Sequence, residues 1–100
     1  MGNSLISHGG GAPEGYDVTN VSTLVAPKKP LRKYWACVNT SDTPIYLALE
    51  PGGAAVVGKG IYLAPNGGSF ELNNVNMYYD EIWAIHGGTG VKRLAVQTGQ

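Results

Sequence analysis

RKYWACVNTSDTPIYLAL, residues 32–49, is two apolar runs either side of a polar turn. In the second run Ile45, Leu47 and Leu49 alternate with Tyr46 and Ala48. A repeat of two belongs to an extended chain with one face buried, not to a helix, whose repeat is 3.6. The first run is rich in the aromatic and β-branched types that suit a strand. Between them, Thr40-Ser41-Asp42-Thr43 has the short polar side chains that bond nearby backbone and favour a turn. The stretch therefore reads as strand, turn, strand.

The same grammar extends in both directions. Upstream, residues 21–26 form an apolar run stopped by Pro27-Lys28-Lys29-Pro30, since proline cannot donate to a ladder. Downstream, Pro51-Gly52-Gly53 opens a loose loop, with room for at most one helical turn at residues 54–58. Residues 60–64 and 69–72 read as strands around Pro65-Asn66-Gly67-Gly68, and Asn-Gly between apolar runs predicts a hairpin because both residues tolerate positive φ. After an irregular polar-aromatic connection, residues 81–86 and 92–98 read as a last pair joined through Gly87-Gly88-Thr89-Gly90. Gly and Pro make up 21 of the 100 residues, and no segment sustains a helical period. The prediction is an all-β fold: a small antiparallel β-sandwich or jelly-roll-like barrel of about seven strands. Residues 1–17, with Gly9-Gly10-Gly11, Pro13 and Gly15, have almost no periodicity. They are expected to form an extended N-terminal arm, flexible in isolation, ahead of a domain at residues 18–100.

Composition narrows the function classes. Charged residues are 14% of the chain, against about 25% in a typical protein, and the seven basic residues balance the seven acidic ones. That leaves no overall electrostatic footprint for nucleic acid. It suggests a largely neutral surface covered by other protein. The single cysteine, Cys37, allows no intrachain disulfide and sits in an apolar run, where it reads as a small buried hydrophobe. A fold without disulfides fits synthesis in a reducing cytoplasm. No stretch approaches the roughly 18 apolar residues of a membrane helix, and the N-terminus has neither the basic start nor the apolar core of a signal peptide. Ile6 stands where a myristoylation motif needs Ser or Thr. The glycosylation-like triplets at Asn20 and Asn39 mean little without a secretory signal.

Catalytic and metal motifs fail on their chemistry. Gly53 to Lys59 spells G-x-x-x-x-G-K, but Gly60 replaces the Ser or Thr that would ligate magnesium, and no helix is expected to follow. His8-Gly9-Gly10-Gly11 is like an esterase oxyanion loop without the G-x-S-x-G elbow that loop serves. His8, His86 and Cys37 are the only soft ligands and lack metal-ligand spacing. His86 reads instead as a strand-end residue bonding to the glycine turn. Asp80 and Glu81 are adjacent and point to opposite sides of an extended chain, and no two carboxyls show the convergence of an acid–base pair. No enzyme activity and no cofactor are expected.

Two sets of residues are candidates for a protein interface. Lys28, Lys29, Arg32 and Lys33 form the one basic cluster. It is either a solvated linker, the commoner role of a charge run, or a contact with an acidic neighbour or nucleic acid. Tyr34, Tyr46 and Tyr62 alternate with core positions, and Tyr16 lies in the arm. Outward tyrosines supply contact area at low entropy cost, or they pair across strands on a solvated sheet. Trp35 and Trp83 have apolar neighbours in their strands and read as core.

RKYWACVNTSDTPIYL (residues 32–47), GIYLAPNGGSF (residues 60–70) and IWAI (residues 82–85) together resemble small structural proteins of tailed-bacteriophage virions. The shared pattern is a strand into an N-T-S-D turn, a P-I-Y-L strand, a G-I-x-L-A-P-G-G segment and an I-W-A-I strand before a glycine turn. Residues 32–97, about two-thirds of the chain, carry it. The resemblance implies a β-sandwich that decorates or cements a capsid, forms a head fibre or joins tail parts, usually as a symmetric oligomer. The leading expectation is a capsid decoration or cement protein, localised to the virion. It would be a homo-oligomer, with a trimer expected, and would bind the major capsid protein or another virion protein through sheet faces and the arm. A tail, neck or baseplate component is the alternative. A carbohydrate-binding module, using Trp35, Trp83 or tyrosines as stacking platforms, is a further one.

Overall fold

The computed structural model describes residues 13–99, and expectations placed on residues 1–12 lie outside them. Eight strands are present and no helix occurs among the described residues: β1 (Pro13–Val18), β2 (Thr23–Ala26), β3 (Tyr34–Asn39), β4 (Ile45–Leu49), β5 (Ile61–Leu63), β6 (Gly68–Leu72), β7 (Ile82–His86) and β8 (Lys92–Gly99). Alternation sets each strand's orientation. Trp35, Cys37 and Asn39 of β3 are buried, as are Ile45 and Leu47 of β4, Ile82, Ala84 and His86 of β7, and Leu94 and Val96 of β8. Their sequence neighbours face away.

The strands form two four-stranded sheets, ordered β1-β8-β3-β6 and β2-β7-β4-β5. Every pairing is antiparallel. Inward side chains from both sheets meet in one core of Val18, Val25, Trp35, Ile45, Leu47, Leu63, Leu72, Ile82, Leu94 and their neighbours. This is a β-sandwich, and its strand order is that of a jelly roll, two interleaved Greek keys closed face to face. Every junction between consecutive strands changes sheet except β4–β5, which pair directly.

Three expectations change. Pro13 to Asp17, expected in the arm, belong instead to an edge strand, β1, which pairs along its length with β8 and ends at Val18 in the core. Its outward Pro13, Gly15 and Asp17 give no apolar alternation to read, which is why seven strands were expected. Asn66 and Gly67 do take positive φ, 58° and 128°. However, β5 and β6 belong to different sheets, so the turn is an arch between layers and not a hairpin. Likewise β7 and β8, expected as a pair, lie in opposite sheets.

The topology puts four short connections (β1–β2, β3–β4, β5–β6, β7–β8) at one end, here the turn end. The longer β2–β3, β4–β5 and β6–β7 connections leave from the other, the loop end, beside Pro13 and Gly99. The turn end is stitched by two buried polar side chains. Asn39 donates from Nδ2 to the carbonyls of Thr43 (2.8 Å) and Leu63 (3.1 Å), and its Oδ1 accepts from the Ser41 amide (3.0 Å) and hydroxyl (2.7 Å). That uses the full capacity of the amide and ties the β3–β4 turn to the end of β5. His86 Nδ1 accepts from the Gly88 amide (3.0 Å), so Nε2 carries the proton and donates to the Gly90 carbonyl (2.8 Å). The ring thus clasps the glycine turn through both nitrogens.

Candidate protein interface

The seven residues anticipated at an interface separate into two places. Tyr16, Tyr34, Lys29 and Arg32 come together at the loop end, around a cavity of about 110 Å³ between the sheets that Glu14 and Trp35 also line. Tyr46 and Tyr62 lie on the outer face of the other sheet. Lys28 is exposed on the β2–β3 connection next to Lys29.

Arg32 is not a surface contact. It is only 5% exposed, and its guanidinium is spent on backbone. Nη1 donates to the Tyr78 carbonyl (2.7 Å) and, more weakly, to that of Asp80 (3.3 Å), while Nη2 donates to the Pro27 carbonyl (2.7 Å). Burial lowers its pKa, with Tyr78 and Asp80 acting in the opposite direction, and the group remains a cation. Its role is to fasten the β2–β3 connection to the β6–β7 connection. The Lys29 amide adds a second fastening, donating to the Tyr79 carbonyl at 2.7 Å.

Tyr16 points inward from β1, packs on the core and donates its hydroxyl to Glu14 Oε1 at 2.7 Å. Burial first, and then this carboxylate, push its pKa up to about 12. Its hydroxyl is therefore a fixed donor at the cavity mouth. Tyr34, half-buried at the start of β3, is likewise raised, by burial and then by Glu71. The cavity has room for one small group between aromatic walls, with the Tyr16–Glu14 bond at its mouth and the Arg32 guanidinium committed to backbone.

On the opposite face, Tyr46 and Tyr62 are register partners in β4 and β5, with ring centroids 5.5 Å apart and planes tilted by 58°. This is cross-strand aromatic pairing. Tyr62 remains 55% exposed, beside a shallow depression lined by Pro44, Tyr46 and Val57.

Trp83 departs from the core position expected for it. Ile82 and Ala84 are buried, so the alternation of β7 turns Trp83 and Ile85 outward. The β4–β5 connection, residues 50–60, then covers Trp83. Glu81 Oε1 accepts both from Trp83 Nε1 (3.0 Å) and from the Gly52 amide (2.9 Å). Gly53, with φ +78°, lies so close that a β-carbon there would stand 3.6 Å from the indole. Gly53, the first glycine of the G-x-x-x-x-G-K run, thus serves a cover over a sheet face. Trp35 is in the core as expected.

Cys37 is buried, and burial pushes its thiol up to about 12, which makes it an inert packing group. No group of three or more His, Cys, Asp or Glu side chains converges among the described residues.

Sequence reasoning missed the residue at the apex of the basic connection. Leu31 is 84% exposed. The only signal for it was a lone leucine between Pro30 and Arg32 with no apolar partner two residues away. Comparison with protein-family models, with curated proteins and with solved structures finds no match.

Proposed function

We propose that this chain is a virion structural protein, a capsid decoration or cement protein that binds the assembled shell as a symmetric oligomer. The observation that carries the reading is the strand order, β1-β8-β3-β6 against β2-β7-β4-β5, an architecture recurrent in viral capsid and lectin domains. Two further features support it. The surface is neutral overall and low in charge, as suits a protein covered by other protein. Residues 1–12 precede an edge strand at the loop end, and twelve residues can span up to about 40 Å, enough to reach a neighbouring subunit. The lectin reading has less support, because Trp35 is buried and Trp83 lies under the β4–β5 connection.

The test uses shells of the phage that encodes the chain, assembled without it. Added protein is expected to co-sediment with the shells and raise their melting temperature. Light scattering on the free protein is expected to give a trimer. Deleting residues 1–12 should weaken shell binding at least tenfold while leaving the domain folded. The deletion must stop before Pro13, since Val18 at the end of β1 is core. Shells that neither bind nor gain stability would overturn the reading.

A further inference from the structure

The β2–β3 connection combines three properties that rarely occur together. It is strongly basic: residues 27–33 hold Lys28, Lys29, Arg32 and Lys33, four of the chain's seven cations, and no acid. Its lysines are uncommitted, because the ion pairs among the described residues are Lys92–Asp42 and Arg93–Asp17. It is also held in shape. The Arg32 amide donates to the Lys29 carbonyl at 3.0 Å, closing a four-residue turn with Pro30 in the position proline favours. The buried Arg32 side chain and the Lys29–Tyr79 bond then lock that turn onto the β6–β7 connection.

Against that rigidity stands the exposure of Leu31 at the turn's corner. Tyr79, 48% exposed, lies on the partnering connection. A mobile loop could turn its leucine inward; this one holds it out. Committing a buried guanidinium to fasten the loop carries a desolvation cost, and the result is an apolar knob ringed by three free ammonium groups. Ordering the loop before binding removes the entropy penalty a flexible loop would face.

We infer that the Lys29–Arg32 turn is a preformed docking knuckle that seats Leu31 in an apolar dimple of an acidic protein surface, with Lys28, Lys29 and Lys33 meeting carboxylates at the rim. The inference deepens the virion reading and rests on it, the acidic surface being that of the shell. A protein partner fits better than the other anionic candidates. One leucine and three lysines fall short of the two strong signals that stable membrane anchoring needs, and Asp80 and Glu81 stand in the adjoining connection. Nucleic acid would gain little from an apolar residue at the apex, and the chain has no net charge to steer it there.

The experiment measures binding of the full chain to shells lacking it, for wild type, Leu31→Ser, the triple variant Lys28→Glu/Lys29→Glu/Lys33→Glu, and Lys59→Glu as a basic control away from the knuckle. Circular dichroism checks that each is folded. The expected result is a loss of about tenfold or more for Leu31→Ser and for the triple variant. Wild-type binding should weaken with salt, the triple variant should lose that dependence, and Lys59→Glu should bind normally. Shell binding by wild type that both variants retain overturns the knuckle and leaves the virion reading standing. Absence of any wild-type binding overturns both. Vesicles of phosphatidylcholine with phosphatidylserine, and duplex DNA, are run in parallel. Wild-type binding to either that the variants lose overturns the assignment to a protein surface.

Discussion

The two ends of the sandwich use buried polar groups in opposite ways. At the turn end, Asn39 and His86 are completely buried and saturated, mostly by groups within four residues, with one Asn39 bond reaching Leu63. Their bonding gathers compact turns into a cap. At the loop end the buried group is a cation, Arg32, whose bonds reach 46 and 48 residues along the chain to Tyr78 and Asp80. It holds up a connection that leaves Leu31 in water. A saturated neutral amide adds stability and uniqueness, whereas a buried charge without a direct ion-pair partner adds little net stability and is best understood by the geometry it imposes. One end closes the fold; the other presents it.

That contrast breaks if Asn39→Ala is tolerated. Removing the amide leaves buried carbonyls and the Ser41 groups without partners, and is expected to cost about 3 kcal/mol, lowering the melting temperature by roughly 10–20 °C. Arg32→Met tests the other end. It removes a costly buried charge as well as three hydrogen bonds, so the global loss should be smaller, about 1–2 kcal/mol. Hydrogen exchange should show the difference in kind, with amides near Lys29 and Tyr79 losing protection while strand amides keep theirs. A larger global loss for Arg32→Met than for Asn39→Ala would reverse the comparison.

Alkaline titration supplies a reference from the core between the ends. The Cys37 thiol titrates near 9 when unfolded and is pushed up to about 12 by burial in the fold. The folded protein therefore keeps its proton longer than the unfolded chain does. Stability is complete below pH 9 and declines as pH rises toward 12, by roughly 1 kcal/mol at pH 10. Cys37→Ala should flatten that decline in a pH series of thermal melts. Above pH 10, Tyr16 adds a loss of the same sign at the loop end, which Tyr16→Phe should remove. The smallest effect is expected of Leu31→Ser, within about 0.5 kcal/mol of wild type in stability, because a side chain already in solvent has little packing to lose.

Strand positions were legible because period-two alternation is a local property, plain in Ile45-Tyr46-Leu47 and in residues 92–98. Turn chemistry was legible for the same reason, as the positive φ of Asn66 and Gly67 shows. Pairing was not. A turn sequence specifies that the chain reverses, and either the next strand of the same sheet or the facing sheet can receive it. β1 was hidden because an edge strand with outward Pro13 and Gly15 carries its apolar signal only in Tyr16 and Val18. The placement of Trp83 followed from its neighbours Ile82 and Ala84, but the cover over it comes from residues 50–60, which have no periodicity to read. At the candidate interface the tyrosines and lysines stood out by residue type. The burial of Arg32 did not, since its carbonyl partners lie in a connection more than forty residues away.

The position of β8 bears on how the molecule is made. It lies between β1 and β3 in the interior of its sheet, yet it leaves the ribosome after every other described strand. Until it emerges, β1 has no neighbour to pair with and β3 is open along one side. Only the β4–β5 pair can form between consecutive strands as translation proceeds. Such distant closure makes folding slow and leaves strand edges uncovered in the meantime. Losing β8 would therefore cut β1 off from the β3–β6 pair and split the first sheet, while trimming β6, at the opposite edge, would fray only a margin.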